Sequence, residues 1–165
     1  MRLSKRGEYG LRAMISLAKI TQSGVQPPIM QIKDISEREK IPAKFLEQIL
    51  LSLKNSGLLH SKMGVGGGYY LARDPREIFL GQIIRVLDGP IAPLRCVSRV
   101  AYEACDCPDV ETCGLRLVMG DVRTAIVDIL DNTSLSDVTQ REAAQGQLLG
   151  KTSKSSSYPS SPKKQ

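Results

Sequence analysis

The chain has 165 residues, of which 41% are hydrophobic and none is tryptophan, and its net charge is +6. A chain of this length fits one domain, or one domain with an appended element, and a core of Ile, Leu, Val and Ala suits helices packed on helices. No apolar run reaches the roughly 20 residues of a membrane span, and no apolar signal core follows the N-terminus, so we expect a cytoplasmic protein without a membrane segment. The basic charge is compatible with a polyanionic partner.

Three helices are predicted in the first third of the chain. Apolar residues at helical spacing predict the first over residues 4–20 and a shorter second one over 31–39. Pro42 suits the first turn of a third helix over 42–56, and Gly57 suits the residue that closes it. One face of this third helix carries an apolar stripe, which we expect to be buried: Leu46, Ile49, Leu50 and Leu53.

A β-hairpin is predicted directly after the third helix. Residues 58–62 and 69–72 have strand character, and the glycine-rich segment 64–68 joins them. Helices followed by a hairpin with a basic, small-residue tip are typical of a winged helix-turn-helix. We therefore predict a mainly α fold with a small β-hairpin, in which residues 1–90 form the winged helix-turn-helix.

A long helix is predicted in the second half, after a short helix over 80–87 and a cysteine-rich loop over 91–113. It spans 114–130, with Thr112 as its predicted N-cap. Its apolar residues recur every three or four positions and form a seam that needs a partner surface: Leu115, Val118, Val122, Ala125 and Ile129. We predict that this dimerisation helix packs against its own copy in a homodimer.

The C-terminal part is predicted to hold one more helix and a tail. Ser134, three residues before Asp137, is a plausible start for a short helix, which completes a dimerisation segment over 114–149. Residues 150–165 are polar and proline-rich, so we predict that they form a disordered tail.

All cysteines of the chain lie in one loop: Cys96, Cys105, Cys107 and Cys113. Cytosolic thiols are normally reduced, which favours metal binding or redox chemistry over a disulfide framework. Structural zinc usually takes C-x2-4-C pairs, whereas this loop has C-x-C and C-x5-C. Iron-sulfur clusters need several thiolates gathered together. The residues leave open a cluster, a thiol switch and a zinc site.

The exposed face of the third helix predicts a DNA interface, because the helix follows a shorter one and precedes a wing. Glu47 and Gln48 are the expected base readers. The residues expected to hold phosphates are Lys44, Lys54, Ser61 and Lys62. Gly64 and Gly66 of the wing would let the backbone lie close to DNA. The sole histidine, His60, is given no role in the cysteine site.

With these parts in this order, the chain resembles the Rrf2 family of bacterial transcription regulators. The resemblance covers about residues 1–140 and rests on the stretches LSKRGEYGLRAM, IPAKFLEQIL and GVGGGYYLARD, and on the cysteine loop before a long helix. It implies a homodimer that binds DNA through winged helices. In many members it also implies a [2Fe-2S] or [4Fe-4S] cluster whose state alters DNA affinity.

The cysteine spacing departs from the pattern of the family's sensors, which often carry C-x5-C-x5-C. Cys107 and Cys113 keep one such spacing, ten residues separate Cys96 from Cys107, and Cys105 is additional. In one branch a histidine three residues after the last cysteine is a ligand, and here Arg116 holds that position. Other members use an acidic ligand that matches Glu8 of the partner subunit. The site could therefore be closed by four thiolates, or by three thiolates and Glu8 of the partner subunit.

The wing also departs from the family, which often has arginine just before the first wing glycine. Here Met63 holds that position and Lys62 precedes it. The basic side chain of the wing thus lies one residue earlier than in the family.

The sequence thus predicts a DNA-binding regulator whose iron-sulfur cluster, expected as [2Fe-2S], senses redox state, iron or a reactive gas. The alternative is a regulator without a cluster, in which Cys105 or Cys107 forms a disulfide on oxidation. A small thiol oxidoreductase is disfavoured, because the chain has neither a Cys-His couple nor a cofactor fingerprint, and its C-x-C pair lacks the usual C-x-x-C spacing. We predict no enzymatic activity.

Overall fold

The computed structural model describes residues 2–153, with side chains described through residue 149. Its regular elements are α1 (Lys5–Gln22), α2 (Ile32–Glu39), α3 (Ala43–Asn55), β1 (Leu59–Lys62), β2 (Gly68–Leu71), α4 (Leu80–Asp88), α5 (Gly114–Asp131) and α6 (Leu135–Ser153). The predicted fold class, mainly helical with one antiparallel hairpin, is confirmed. None of the described helices is long and apolar enough to cross a bilayer.

Helix α1 is the centre of the hydrophobic core. The Ser4 side chain caps it by accepting a hydrogen bond from the Gly7 backbone N–H at 3.0 Å. Its inward residues Ala13, Met14 and Leu17 are fully buried. A Cβ at Gly10 would lie 2.0 Å from a methyl carbon of Leu87 in α4, so the two helices approach each other closely at this glycine.

The apolar stripe of α3 is buried as predicted, with all of its residues fully inaccessible: Leu46, Ile49, Leu50 and Leu53. Burying one such side chain contributes about 1.5–3 kcal/mol, so the stripe holds α3 firmly against the core. The opposite face of α3 is left in solvent. Strands β1 and β2 pair antiparallel from Leu59–Leu71 to Lys62–Gly68. The wing turn uses Gly64 and Gly66 at φ values of 89° and 72°, a region that favours glycine.

Helix α5 has no buried residue. Four residues of its predicted seam, Leu115, Val118, Val122 and Ile129, are 38–64% exposed. Thr112 is not its N-cap as predicted, because the Thr112 hydroxyl and backbone N–H bond to the Asp109 carboxylate and Cys113 takes the capping position. The local Asp109 turn competes successfully for the threonine side chain.

Helix α6 begins where predicted. The Ser134 hydroxyl accepts from the Asp137 backbone N–H at 3.1 Å, and the Asp137 carboxylate accepts from the Ser134 backbone N–H at 2.8 Å. The helix has 19 residues and continues through Ser153, so it is longer than the short helix expected. Good helix formers outweigh the small penalty of Gly146. The rest of the predicted tail, 154–165, lies outside the described residues.

Candidate metal centre and nucleic-acid interface

The four cysteines line one cavity of about 350 Å³. Cys96 lies on a 3-10 turn (Arg95–Val97) and is buried, whereas Cys107 is exposed. Cys105 and Cys107 come from the loop, and Cys113 is the residue from which α5 starts. The fold thus brings together thiols that are spread over eighteen residues of sequence.

The thiols interact with one another within this cysteine cavity. The Cys107 backbone N–H donates to the Cys105 sulfur and lowers the pKa of that thiol, and the thiols of Cys107 and Cys96 add to the effect. The pKa of Cys107 rises to about 11, first through its hydrogen bond and charge interaction with Cys105 and then through slight desolvation and Cys113. The four thiols therefore form one connected group.

The donor set fits an iron-sulfur cluster by chemistry and by number, because such clusters are commonly held by four cysteine thiolates. Among residues 2–149, no three His, Cys, Asp or Glu side chains are arranged to hold a single metal ion. A structural zinc ion needs four ligands at about 2.0–2.3 Å from one centre, whereas a binuclear cluster distributes its ligands over two iron atoms. The cysteine cavity therefore supplies the number and type of donors that a cluster needs.

Arg116 holds the cysteine loop against α5. Its Nε donates to the Cys96 carbonyl at 3.4 Å, and its Nη1 donates to the Val110 carbonyl at 3.3 Å. The sequence shows only that an arginine cannot be a metal ligand, and it does not reveal this role. The only signal was the residue type, since a guanidinium has five N–H donors and can bond backbone carbonyls.

Glu8 does not line the cysteine cavity of its own chain. It lies in the first turn of α1, where its carboxylate is 2.8 Å from Lys5 Nζ and 3.8 Å from Arg12 Nη1. The hydrogen bond from Lys5 lowers the pKa of Glu8. Any contact with a cysteine loop would therefore have to be made to the loop of a second chain.

The exposed face of α3 presents the predicted base readers Glu47 and Gln48, and the flanking Lys44 and Lys54 are also exposed. Arg6 of α1 donates to the Ser52 hydroxyl at 2.5 Å, and that hydroxyl donates to the Gln48 carbonyl at 2.9 Å. This link from α1 to the middle of α3 is not visible in the sequence, because it joins residues 46 positions apart.

The wing presents Lys62 to solvent at the end of β1, and Ser61 beside it is partly buried. At the tip, Met63 is 91% exposed, between Lys62 and the glycines Gly64 and Gly66. The wing is anchored at its base, because the Tyr69 and Met30 backbones exchange two hydrogen bonds of 2.8 and 3.0 Å. The residues predicted to contact DNA are all exposed except Ser61, which is half-buried.

Comparison with known proteins gives consistent matches over this region. The Rrf2 family, described as iron-dependent transcriptional regulators, matches residues 3–141. An rrf2-like HTH-type transcriptional regulator of Rhodobacter capsulatus is 36% identical over 137 residues, which are 82% of this chain and 91% of that protein.

Solved structures show the same architecture. The structure of CymR, the global cysteine regulator of B. subtilis, has a TM-score of 0.70 at 33% identity and covers 86% of this chain and 98% of that one. The structure of T. potens IscR has a TM-score of 0.65 at 31% identity and covers 86% and 88% of the two chains.

Proposed function

The chain belongs to the Rrf2 family of DNA-binding transcription regulators, and we propose that it is a homodimer whose DNA affinity is set by an iron-sulfur cluster, expected as [2Fe-2S]. The observation that carries this proposal is the single cavity lined by all four cysteines, which includes the residue that starts α5. In this scheme residues 1–90 bind DNA, 91–113 hold the cluster and 114–149 form the dimer.

The exposed seam of α5 supports the dimer. An 18-residue helix with no buried residue is unusual in a folded chain, because an amphipathic helix normally owes most of its stability to tertiary packing. Its apolar residues repeat at the spacing that packs one helix against another. In a two-fold contact each copy would cover the same residues of the other.

The cysteine loop would hold the cluster through Cys96, Cys105, Cys107 and Cys113, or through three of them and Glu8 of the partner subunit. A bound cluster would supply a redox-active iron centre. Arg116 would keep the carbonyls of Cys96 and Val110 attached to α5, so the loop and the helix would move together.

A path of contacts connects α5 with the DNA-binding elements. Arg85 of α4 bonds Asp131 at the end of α5 with distances of 2.7 and 2.8 Å. At the end of α4, Asp88 accepts a hydrogen bond of 2.9 Å from the Ser4 backbone N–H, and so contacts the start of α1. A shift of α5 would thus change the relative placement of the two winged helices. Their spacing matters, because a dimer must meet half-sites about 34–36 Å apart, or a multiple of that.

A cluster-free thiol switch is the second candidate, and the contacts of Cys105 with Cys107 and Cys96 favour it. Two of these thiols would become a disulfide by losing two protons and two electrons to an oxidant such as a peroxide, which would be reduced to water or an alcohol. The conformational change would then occur in the cysteine loop rather than in a helix.

Anaerobic purification followed by a visible spectrum and by iron, sulfide and zinc analysis separates these candidates. The cluster predicts a brown protein with about two irons and two sulfides per chain. A colourless protein with one zinc per chain would contradict it. A colourless, metal-free protein whose DNA binding changes on reversible disulfide formation would support the thiol switch instead.

DNA binding is tested separately with the purified protein and promoter fragments in a gel-shift assay. We expect binding to at least one fragment, with an affinity that differs between the cluster-bound and cluster-free forms. Equal affinity of the two forms would contradict control by the cluster while leaving DNA binding intact.

A further inference from the structure

A second cavity adjoins the cysteine cavity and has a volume of about 410 Å³. It lies between α5 and the segment after Cys96, and it shares Cys96, Cys113 and Arg116 with the cysteine cavity. Three arginines line it, Arg99, Arg116 and Arg123, so we call it the arginine cavity. The proposed function assigns no role to Arg99 or Arg123.

The charges of these arginines are not matched by ion pairs. Among the residues that the structure describes, none of the three guanidinium groups lies within 4.0 Å of a carboxylate. Glu111 and Asp121 also line the arginine cavity and are exposed, as Arg99 is. The charge of Arg123 also contributes to the lowered pKa of Asp131. The cavity wall therefore holds three cations that have no carboxylate partner at contact distance.

Arg123 has the least satisfied group in the arginine cavity. Its Nε is buried and has no hydrogen-bond partner in the described part of the chain. A buried N–H without a partner is unfavourable, and most native structures satisfy such groups with protein, water or a ligand. Because this Nε is not accessible to solvent, a ligand in the cavity could bond it only after the Arg123 side chain shifts.

The lining of the cavity indicates the chemistry of its ligand. Guanidinium groups bind carboxylates and phosphates through paired, charge-assisted hydrogen bonds. Ser98 adds a buried hydroxyl, whose oxygen accepts from the Ala101 backbone N–H at 3.0 Å. The volume lies within the range of small-molecule sites. We propose that the arginine cavity binds a small oxyanion, a carboxylate or a phosphate.

This oxyanion site is distinct from the cluster. A guanidinium has no acceptor or metal-ligating lone pair, so the three arginines cannot join the cysteines as ligands. The two sites share a wall, because Arg116 bonds the Cys96 carbonyl and also lines the arginine cavity. An anion that engages Arg116 would therefore act on the position of the cysteine loop whether or not a cluster is bound.

Thermal unfolding of the full-length protein with inorganic phosphate or with citrate tests the proposal, at an ionic strength kept constant with sodium chloride. We expect at least one of the two anions to raise the Tm along a saturable curve. The anion that acts identifies the ligand class. Arg123→Gln should weaken this binding by at least about tenfold, the effect of removing a charge-assisted hydrogen bond.

Arg76→Gln is the matched control, because Arg76 is exposed, pairs with Asp74 and does not line the arginine cavity. It removes the same charge and should leave the saturable response unchanged. Equal responses of the wild type, Arg123→Gln and Arg76→Gln would show a general salt effect and overturn the proposal. So would the absence of a saturable response to either anion.

Arg123→Lys provides a second variant in case Arg123→Gln does not fold. Lysine keeps the charge but lacks the planar donor fork, so we expect weaker anion binding with the wild-type fold and circular dichroism spectrum. If an Arg123 variant instead weakens the dimer and the wild type shows no anion response, a carboxylate of the second copy occupies the cavity. That result would also overturn the small-molecule site, and it would leave the cluster spectrum and the DNA-binding test unaffected.

Discussion

Arg85 of α4 and Asp131 of α5 form a two-bond ion pair, with Nη1–Oδ1 and Nη2–Oδ2 distances of 2.7 and 2.8 Å. The pair approaches Gly81 so closely that a Cβ there would lie 1.9 Å from Asp131 Oδ1. It joins the winged helix to the end of the exposed α5. This contact is therefore the first place to test whether the two parts act together.

Asp131→Asn should separate α5 from α4 with little loss of stability. The side chains are 35% and 38% exposed, so we expect a fall of less than about 1 kcal/mol in the free energy of unfolding. The ratio of DNA affinities between the cluster-bound and cluster-free forms should decrease several-fold, as measured by fluorescence anisotropy. Asp74→Asn, which breaks an exposed pair remote from α5, is the control. An unchanged ratio in Asp131→Asn would argue against this path.

The same pair predicts a pH dependence of stability. The hydrogen bond from Arg85 lowers the pKa of Asp131 below its ordinary value. A lowered carboxyl pKa stabilises the folded state fully above the unfolded pKa of about 3.9, and this stabilisation is lost as the pH falls through the folded pKa. The free energies of urea unfolding of wild type and Asp131→Asn should differ by a constant amount from pH 7 to about 5, and the difference should shrink below that. A difference that grows on acidification would contradict the sign.

Val118→Glu should convert the proposed dimer to a monomer. Val118 is 56% exposed on α5, and a carboxylate there would be buried against its own copy in the two-fold contact. Val25→Glu makes the same change at a 49% exposed position in the loop after α1 and should leave the dimer intact. Analytical ultracentrifugation measures both variants. A dimeric Val118→Glu protein would place the interface elsewhere.

Glu8→Ala should leave the visible spectrum of the proposed cluster unchanged. The Glu8 carboxylate is already engaged by Lys5 and Arg12, and the four thiols together line the cysteine cavity. Cys113→Ser should alter or abolish the spectrum. A shifted spectrum in Glu8→Ala, with all cysteines present, would instead support ligation by Glu8 of the partner subunit.

Gln48 and Lys44 should have different effects on DNA binding. Gln48→Ala should relax base preference at one position by about 1–3 kcal/mol, since a base contact is lost. Lys44→Ala should weaken binding to all sequences and reduce the salt dependence by about one phosphate contact. Titrations of a specific and an unrelated duplex at several salt concentrations distinguish the two. If Gln48→Ala lowered the affinity for both duplexes equally, Gln48 would not be a base reader.

The sequence by itself determined those features that depend on near neighbours. The apolar stripe of α3, the glycine turn of the wing and the Ser134 cap each arise from residues a few positions apart, whose spacing is set by helix and strand geometry. The grouping of the cysteines was also visible, because they lie close together in the chain. Thr112 was mistaken for a cap because Asp109, only three residues away, offered its side chain a competing partner.

Only the tertiary structure decided which distant side chains meet. Arg6 with Ser52 and Arg85 with Asp131 are each separated by 46 residues, and the contact of Arg116 with Cys96 spans 20. Such pairs leave no periodic signal, because their geometry depends on how the helices pack rather than on local spacing. The exposed seam of α5 depends on both the sequence and the tertiary structure. Its pattern was legible in the sequence, but its lack of any covering element became evident only once the rest of the described chain had folded around α1.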